Sequence, residues 1–275
     1  MSFRLDGPVV LAGAGKMGAA LLAGWVARGL QPRDVIVQEP NLAGDTAELQ
    51  RKHGFSVVSA LEGLSSPPSV IVVAVKPQAM DGVFPALAKH AGPATVVMSI
   101  AAGKSIASFE RHLPPGIAVV RAMPNTPAAI GRGISGAVGN THVTEQQKDL
   151  CQNLLSAVGD VVWLNDEALI DAVTAVSGSG PAYVFLLTEA LARAGEAAGL
   201  DAATSMQLAR ATVSGAGELL HQSKNDPAML RQNVTSPGGT TAAALSVLMR
   251  EKCGLQDLLT EAVLAAKKRG RELGS

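Results

Sequence analysis

Apolar positions in the first half of the chain come as short unbroken runs, separated by longer stretches with helical spacing. The run Val9–Ala12 breaks into Gly13, Ala14, Gly15, Lys16, Met17 and Gly18, then resumes as an Ala/Leu-rich helix over 19–28. Runs at 35–38, 55–58, 70–75, 95–100, 118–121, 133–138 and 161–164 read as further strands. Periodic stretches at 45–53, 82–90, 105–112 and 145–158 supply helices between them. The run at 70–75 holds Val70, Ile71, Val72, Val73 and Val75, the mark of a strand buried on both faces of a parallel sheet. After Asp166 the period changes and no convincing strand follows. Helical spacing covers 167–176, 182–198, 202–222, 228–233, 242–250 and 255–272. The chain is therefore expected to divide into an α/β domain over 1–164 and a helical domain over 165–275. Ala190, Ala192, Ala194, Gly195, Ala197 and Ala198 let helices approach closely. So much apolar helix also predicts burial against a second copy, a homodimer, because obligate interfaces resemble a cut core.

Charge and composition narrow the classes. At 275 residues the chain is long enough for two domains and a sizeable core. Its 23 basic and 23 acidic residues cancel, and the one basic cluster, Lys267, Lys268, Arg269 and Arg271, suits the C-terminal end of a helix. Nucleic acid is not an expected partner. The two cysteines, Cys151 and Cys253, lack metal-ligand spacing and read as reduced packing thiols of a cytoplasmic protein. Met1 to Asp6 is too polar for a signal peptide, and no apolar run reaches membrane-spanning length, so no membrane is expected.

The glycine spacing G-x-G-x-x-G lies between a strand and a helix. In that context the first glycine turns the chain, the second admits a pyrophosphate, and the third lets helix and strand pack closely; a tight turn without ligand is the alternative. Glu39 ends the second strand, where a carboxylate can hold ribose hydroxyls and would repel a 2′-phosphate, which leans toward NADH. It is otherwise a surface residue, and Arg51 or Lys52 could still serve a phosphate. Ala74, Val75, Lys76 and Pro77 end a strand at the expected ligand crevice, unless Lys76 only starts a helix on the rim. Ala101, Ala102 and Gly103 would permit close approach of a ring. Met123 to Pro127 forms a loop stiffened by two prolines with polar groups left free, which suits a cofactor edge or equally a rigid surface loop, and Ser177 to Tyr183, over-supplied with glycine for a plain connector, reads as a ligand-facing loop.

Thr235, Ser236, Pro237, Gly238, Gly239, Thr240 and Thr241 carry no ionisable side chain. Two glycines and three hydroxyls before an apolar helix make a receptor for a small anion, most simply a carboxylate; an N-capped loop is the bland reading.

With these segments in place, the sequence resembles the pyrroline-5-carboxylate reductases, which catalyse the last step of proline biosynthesis. The resemblance runs along essentially the whole chain and is most specific over 233–241. It implies a Rossmann-type dinucleotide-binding domain followed by an all-α dimerisation domain, with dimers often assembled further. It implies NADPH or NADH on Ala12, Gly13, Ala14, Gly15, Lys16, Met17, Ala74, Val75, Lys76, Pro77, Ile100, Ala101, Ala102 and Asn233, and substrate near Glu167, Thr240 and Thr241. Two departures stand out. Many NADPH-using relatives carry small or basic residues where Glu39 stands, and Ser59, Ala60 and Leu61 supply no asparagine where some relatives have one.

The substrate so implied has a ring C=N bond and one carboxylate. Once its nitrogen is protonated, hydride addition needs orientation more than proton shuffling, so a site without histidine suits the chemistry. Ser236, Gly239, Thr240 and Thr241 are expected to grip the carboxylate, with Thr241 or a water facing the ring nitrogen. Glu167 either offsets the positive nitrogen or only caps its helix. No metal is expected. A hydroxyacid dehydrogenase would need a positioned lysine or histidine, Lys224 being the nearest candidate, and a dinucleotide sensor would bind without turnover.

Overall fold

Alternate residues of the central strands face two different cores, because successive side chains of a strand point to opposite faces. The computed structural model describes residues 3–274, so Met1 and Ser2 of the polar leading segment lie outside the described residues. In chain order the first elements are β1 (Val9–Ala12), α1 (Lys16–Ala27), β2 (Val35–Gln38), α2 (Gly44–His53), β3 (Ser56–Val58), β4 (Val70–Val73), α3 (Met80–Ala88), β5 (Val96–Ser99), α4 (Ile106–Glu110), β6 (Ala118–Met123), β7 (Gly133–Gly139), α5 (Glu145–Ser156), β8 (Gly159–Trp163) and α6 (Ile170–Val173). The strands form one eight-stranded sheet in the order β3-β2-β1-β4-β5-β6-β7-β8. Among the described residues, only β6 and β7 run antiparallel to each other. Between β1 and β4 the strand order reverses, so the carboxyl ends of these two strands border the ligand crevice of an open α/β sheet.

On one face, Val9, Leu11, Val70 and Val72 meet Leu21, Leu22 and Trp25 of α1 and Leu150, Leu154 and Leu155 of α5. On the other, Val10, Ala12, Ile71 and Val73 meet Phe84 and Leu87 of α3 and Phe109 of α4. Trp25 is fully buried, and its indole donates to the Leu154 carbonyl at 2.9 Å. Cys151 lies in the same core, where burial pushes its thiol up to about 12 and leaves it a packing group rather than a nucleophile.

The chain continues as α7 (Gly180–Ala197), α8 (Ala202–Gln222), α9 (Pro227–Asn233), α10 (Thr240–Leu248) and α11 (Leu255–Gly274). Two compact units result. One takes the described residues through Gly178 and those from Ala266 onward; the other is Ser179–Ala265. The boundary expected at 164/165 thus falls inside the first unit. Ile170 is buried in the second core, and Val173 lies so close over Gly136 of β7 that a Cβ there would sit 2.7 Å from a Val173 methyl.

The expected break at 177–181 also differs. A 3-10 turn at Glu167–Leu169, α6, a π-helical turn at Thr174–Gly178 and α7 follow one another directly. The hydroxyls of Thr174 and Ser177 bond back to the carbonyls of Ile170 and Val173, and Pro181 falls in the first turn of α7, where a missing N–H costs nothing. One consequence corrects the expectation that no apolar run reaches spanning length. An 18-residue window within Glu167–Ala197 reaches a mean hydropathy of 1.3, so by length and composition alone this helix passes the test for a membrane span.

In the second unit α7 packs on α8 through Ala192, Ser205 and Ala209, all buried. Gly195 permits this approach, since a Cβ there would lie 2.9 Å from the Ser205 hydroxyl. Much of the remaining apolar surface is open, with Phe185, Leu186, Leu208, Leu219, Leu258 and Leu264 all more than half exposed.

Candidate active site

The glycine turn after β1 is shaped by backbone approaching backbone. Gly13 has φ of +88°, and a Cβ there would meet the Ala74 carbonyl at 2.9 Å. Gly18 lies in α1 against the same turn, and its Cβ would come within 2.5 Å of the Gly13 oxygen. Gly15, the N-cap of α1, is exposed, and a Cβ there would meet nothing within 4 Å. The first and third glycines are therefore required by packing, and the second leaves room for a guest. Such a cradle at a helix start fits a pyrophosphate.

The other sequence-predicted dinucleotide residues of this unit gather along the same edge. Ala74, Val75, Lys76 and Pro77 follow β4, and Ile100, Ala101 and Ala102 follow β5, its parallel neighbour. Lys76 is exposed and stands before a short 3-10 turn at Pro77–Ala79. Glu39 follows β2, but its carboxylate is already engaged. Oε2 accepts from the Ala14 N–H at 3.0 Å and Oε1 from the Asn41 N–H at 3.2 Å.

Two features escaped sequence reasoning. Arg121, inside β6, is 8% exposed, and its guanidinium meets Glu167 Oε1 at 2.8 Å. The Ile106 N–H at the start of α4 donates to the same oxygen at 2.9 Å. Glu167 thereby ties β6 and α4 to the 3-10 turn that precedes α6. The available signal was a lone cation ending the apolar run Ala118, Val119, Val120. Asn125 is the second. The loop at 123–127 was expected to keep its polar groups free, yet Asn125 is buried, donating to the Ser177 carbonyl and accepting from the Ile134 N–H.

In the second unit, Asn233 ends α9 and the loop 234–239 leads into α10. Gly238 has φ of +68°, and Gly239 occupies the N-cap with no side chain capping the helix, so the bland capped-loop reading does not describe it. The Gly239 N–H donates to the Ser236 carbonyl at 3.0 Å, which removes it from the expected carboxylate grip. The amides of the first helical turn, those of Thr240, Thr241 and Ala242, have no carbonyl ahead of them in the helix and stand at its positive end. Lys224 lies exposed between α8 and α9.

Residues 167–273 match the family model described as pyrroline-5-carboxylate reductase dimerisation, and residues 8–103 match that described as NADP oxidoreductase coenzyme F420-dependent. A pyrroline-5-carboxylate reductase of Pseudomonas aeruginosa is 42% identical over 265 residues, 96% of each chain. One from Synechocystis sp. is 42% identical over 263 residues, 95% of this chain and 96% of the other. Among solved structures, a pyrroline-5-carboxylate reductase from Coxiella burnetii matches with TM-score 0.90 at 34% identity, over 98% of this chain and 99% of that one. The pyrroline carboxylate reductase of Plasmodium falciparum, solved with NADP bound, matches with TM-score 0.79 at 28% identity over 98% and 99%. On these identities, carried across nearly its whole length, the chain belongs to the pyrroline-5-carboxylate reductase family.

Proposed function

We propose that the uncapped start of α10 receives the carboxylate of 1-pyrroline-5-carboxylate, and that the glycine turn seats NAD(P)H, in the reduction of this cyclic imine to L-proline. Bound NAD(P)H supplies the hydride to the ring carbon of the protonated C=N bond. Amides of Thr240, Thr241 and Ala242, with the hydroxyls of Ser236, Thr240 and Thr241, hold the carboxylate. The Thr241 hydroxyl or a water faces the ring nitrogen, and Glu167 offsets its positive charge. Asn233 joins Ala12 to Met17, Ala74 to Pro77 and Ile100 to Ala102 as a dinucleotide residue. The observation that carries this reading is the open first turn of α10 behind a glycine cap.

The many exposed apolar side chains of the second unit, such as Phe185, Leu186, Leu208 and Leu258, support a homodimer formed through this unit. Two free cysteines, one buried, suit the reducing cytoplasm.

The Glu39 carboxylate supports NADH as the preferred cofactor. A 2′-phosphate carries about −1.5 to −2 charge, and at about 4 Å even full water screening leaves roughly 1.5–2 kcal/mol of repulsion from a carboxylate. The cyclic imine mixed with enzyme and NADH, then NADPH, and followed by loss of nicotinamide absorbance, is expected to show kcat/KM about tenfold or more higher for NADH. Glu39→Gln keeps an acceptor for the Ala14 N–H and removes the charge, so it should narrow the ratio to within about threefold. A wild-type enzyme that strongly prefers NADPH overturns the NADH assignment, and absence of turnover with either overturns the reductase reading.

A further inference from the structure

Ala14, the middle residue of the glycine turn, is held on both sides by side chains of other elements. Its N–H donates to Glu39 Oε2 at 3.0 Å, and its carbonyl accepts from the Thr46 hydroxyl at 2.8 Å. Thr46 lies in the first turn of α2 and is 1% exposed. A threonine hydroxyl in a helix ordinarily bonds to a carbonyl of the preceding turn. This one reaches out of its helix to a residue more than thirty positions away. From these contacts we propose that Thr46 is a positioning residue for the dinucleotide, acting through the direction of the Gly15 N–H.

The stereochemistry is short. A peptide unit is planar and trans, so its C=O and N–H point opposite ways. The Ala14 carbonyl and the Gly15 N–H belong to one such unit. Drawing the carbonyl toward α2 turns the Gly15 N–H away from α2, at the position where Gly15 is exposed and nothing stands within 4 Å of its Cβ direction. The preceding peptide unit is fixed in the same manner, with the Ala14 N–H on Glu39 and the Gly13 oxygen facing Gly18 of α1. Both units flanking Ala14 are thus locked before a ligand arrives. An amide aimed beforehand binds an anion without first losing conformational freedom. Sequence pattern gives no sign of Thr46, because it lies between the motifs.

The inference rests on the glycine turn binding a pyrophosphate, and the two are separable by experiment. Wild-type enzyme, Thr46→Val and Thr46→Ser are titrated with NADH, ADP-ribose and adenosine by calorimetry, with KM for the cyclic imine measured at saturating NADH. Thr46→Val is isosteric and lacks the hydroxyl. It is expected to weaken NADH and ADP-ribose about 5- to 10-fold, as loss of one hydrogen bond implies. Adenosine, which has no phosphate, and the KM for the imine are expected to stay within twofold. Thr46→Ser keeps the hydroxyl and should return NADH affinity to within twofold of wild type. Equal weakening of adenosine and ADP-ribose, or a serine variant as weak as the valine one, overturns the proposal by showing that Thr46 only packs. So does a folded valine variant with unchanged NADH affinity. If the valine variant does not fold, the serine variant decides, since loss of affinity with its hydroxyl in place refutes the role. Failure of wild-type enzyme to bind ADP-ribose would instead refute the pyrophosphate assignment itself.

Discussion

Glu167→Ala is expected to lower the thermal unfolding midpoint by about 6–12 °C. The Arg121 guanidinium is nearly buried, and its carboxylate partner at 2.8 Å is Glu167. Removing one partner of a buried ion pair leaves an uncompensated charge and costs about 3–5 kcal/mol. Here the lower end applies, because 29% of the Glu167 side chain stays exposed and water can reach the vacated position. At roughly 2–4 °C per kcal/mol for a unit of this size, about 3 kcal/mol gives the stated shift. The Ile106 N–H loses its acceptor in the same substitution. Glu167→Gln retains an acceptor oxygen and should lose about half as much. Differential scanning calorimetry of the three proteins checks this, and an alanine variant within 2 °C of wild type would show that Arg121 does not depend on Glu167. The same experiment guards the activity data. A slow alanine variant with a collapsed midpoint reports loss of structure, whereas a slow glutamine variant with a preserved midpoint reports loss of charge at the substrate.

The sheet was legible because burial on both faces leaves no polar positions. Val70 to Val73 and Val96 to Met98 are fully buried, and a strand that meets two cores is apolar along most of its length. The three glycines of the turn were legible for a related reason, since each absent side chain records a close approach or an open space. Less legible was anything that depends on which polar atom meets which. Glu39 reads first as a ribose acceptor and otherwise as a surface residue, and only the fold shows it bonded to Ala14. Arg121 looks like a strand-end cation until β6, α4 and the turn at Glu167–Leu169 are brought together. The compact units part at 178/179 and not at residue 165, because the change from strand to helix there is a change of local period, whereas compactness follows packing. Ile170 and Val173 are helical yet complete the core of the sheet.

Thr241→Ala is expected to reduce kcat/KM for the cyclic imine by about 10- to 150-fold, the equivalent of the 1.5–3 kcal/mol carried by one hydrogen bond to a charged group. The substitution removes only the hydroxyl. The Thr241 amide, the Gly239 cap and the turn from the Gly239 N–H to the Ser236 carbonyl all remain, and alanine is the better helix former, so α10 itself should not weaken. Thr241→Ser restores the hydroxyl and should recover activity to within about threefold, at some cost in side-chain order. The division of the loss between the two kinetic constants locates the contact. A hydroxyl on the carboxylate binds substrate and transition state alike and appears in KM, while one that faces the ring nitrogen meets a charge that changes during hydride addition and appears in kcat. KM for NADH at saturating imine should stay unchanged, because Thr241 is not assigned to the dinucleotide. Steady-state kinetics with the cyclic imine decide the matter: an alanine variant whose turnover and KM both lie within about twofold of wild type places the carboxylate somewhere other than the start of α10.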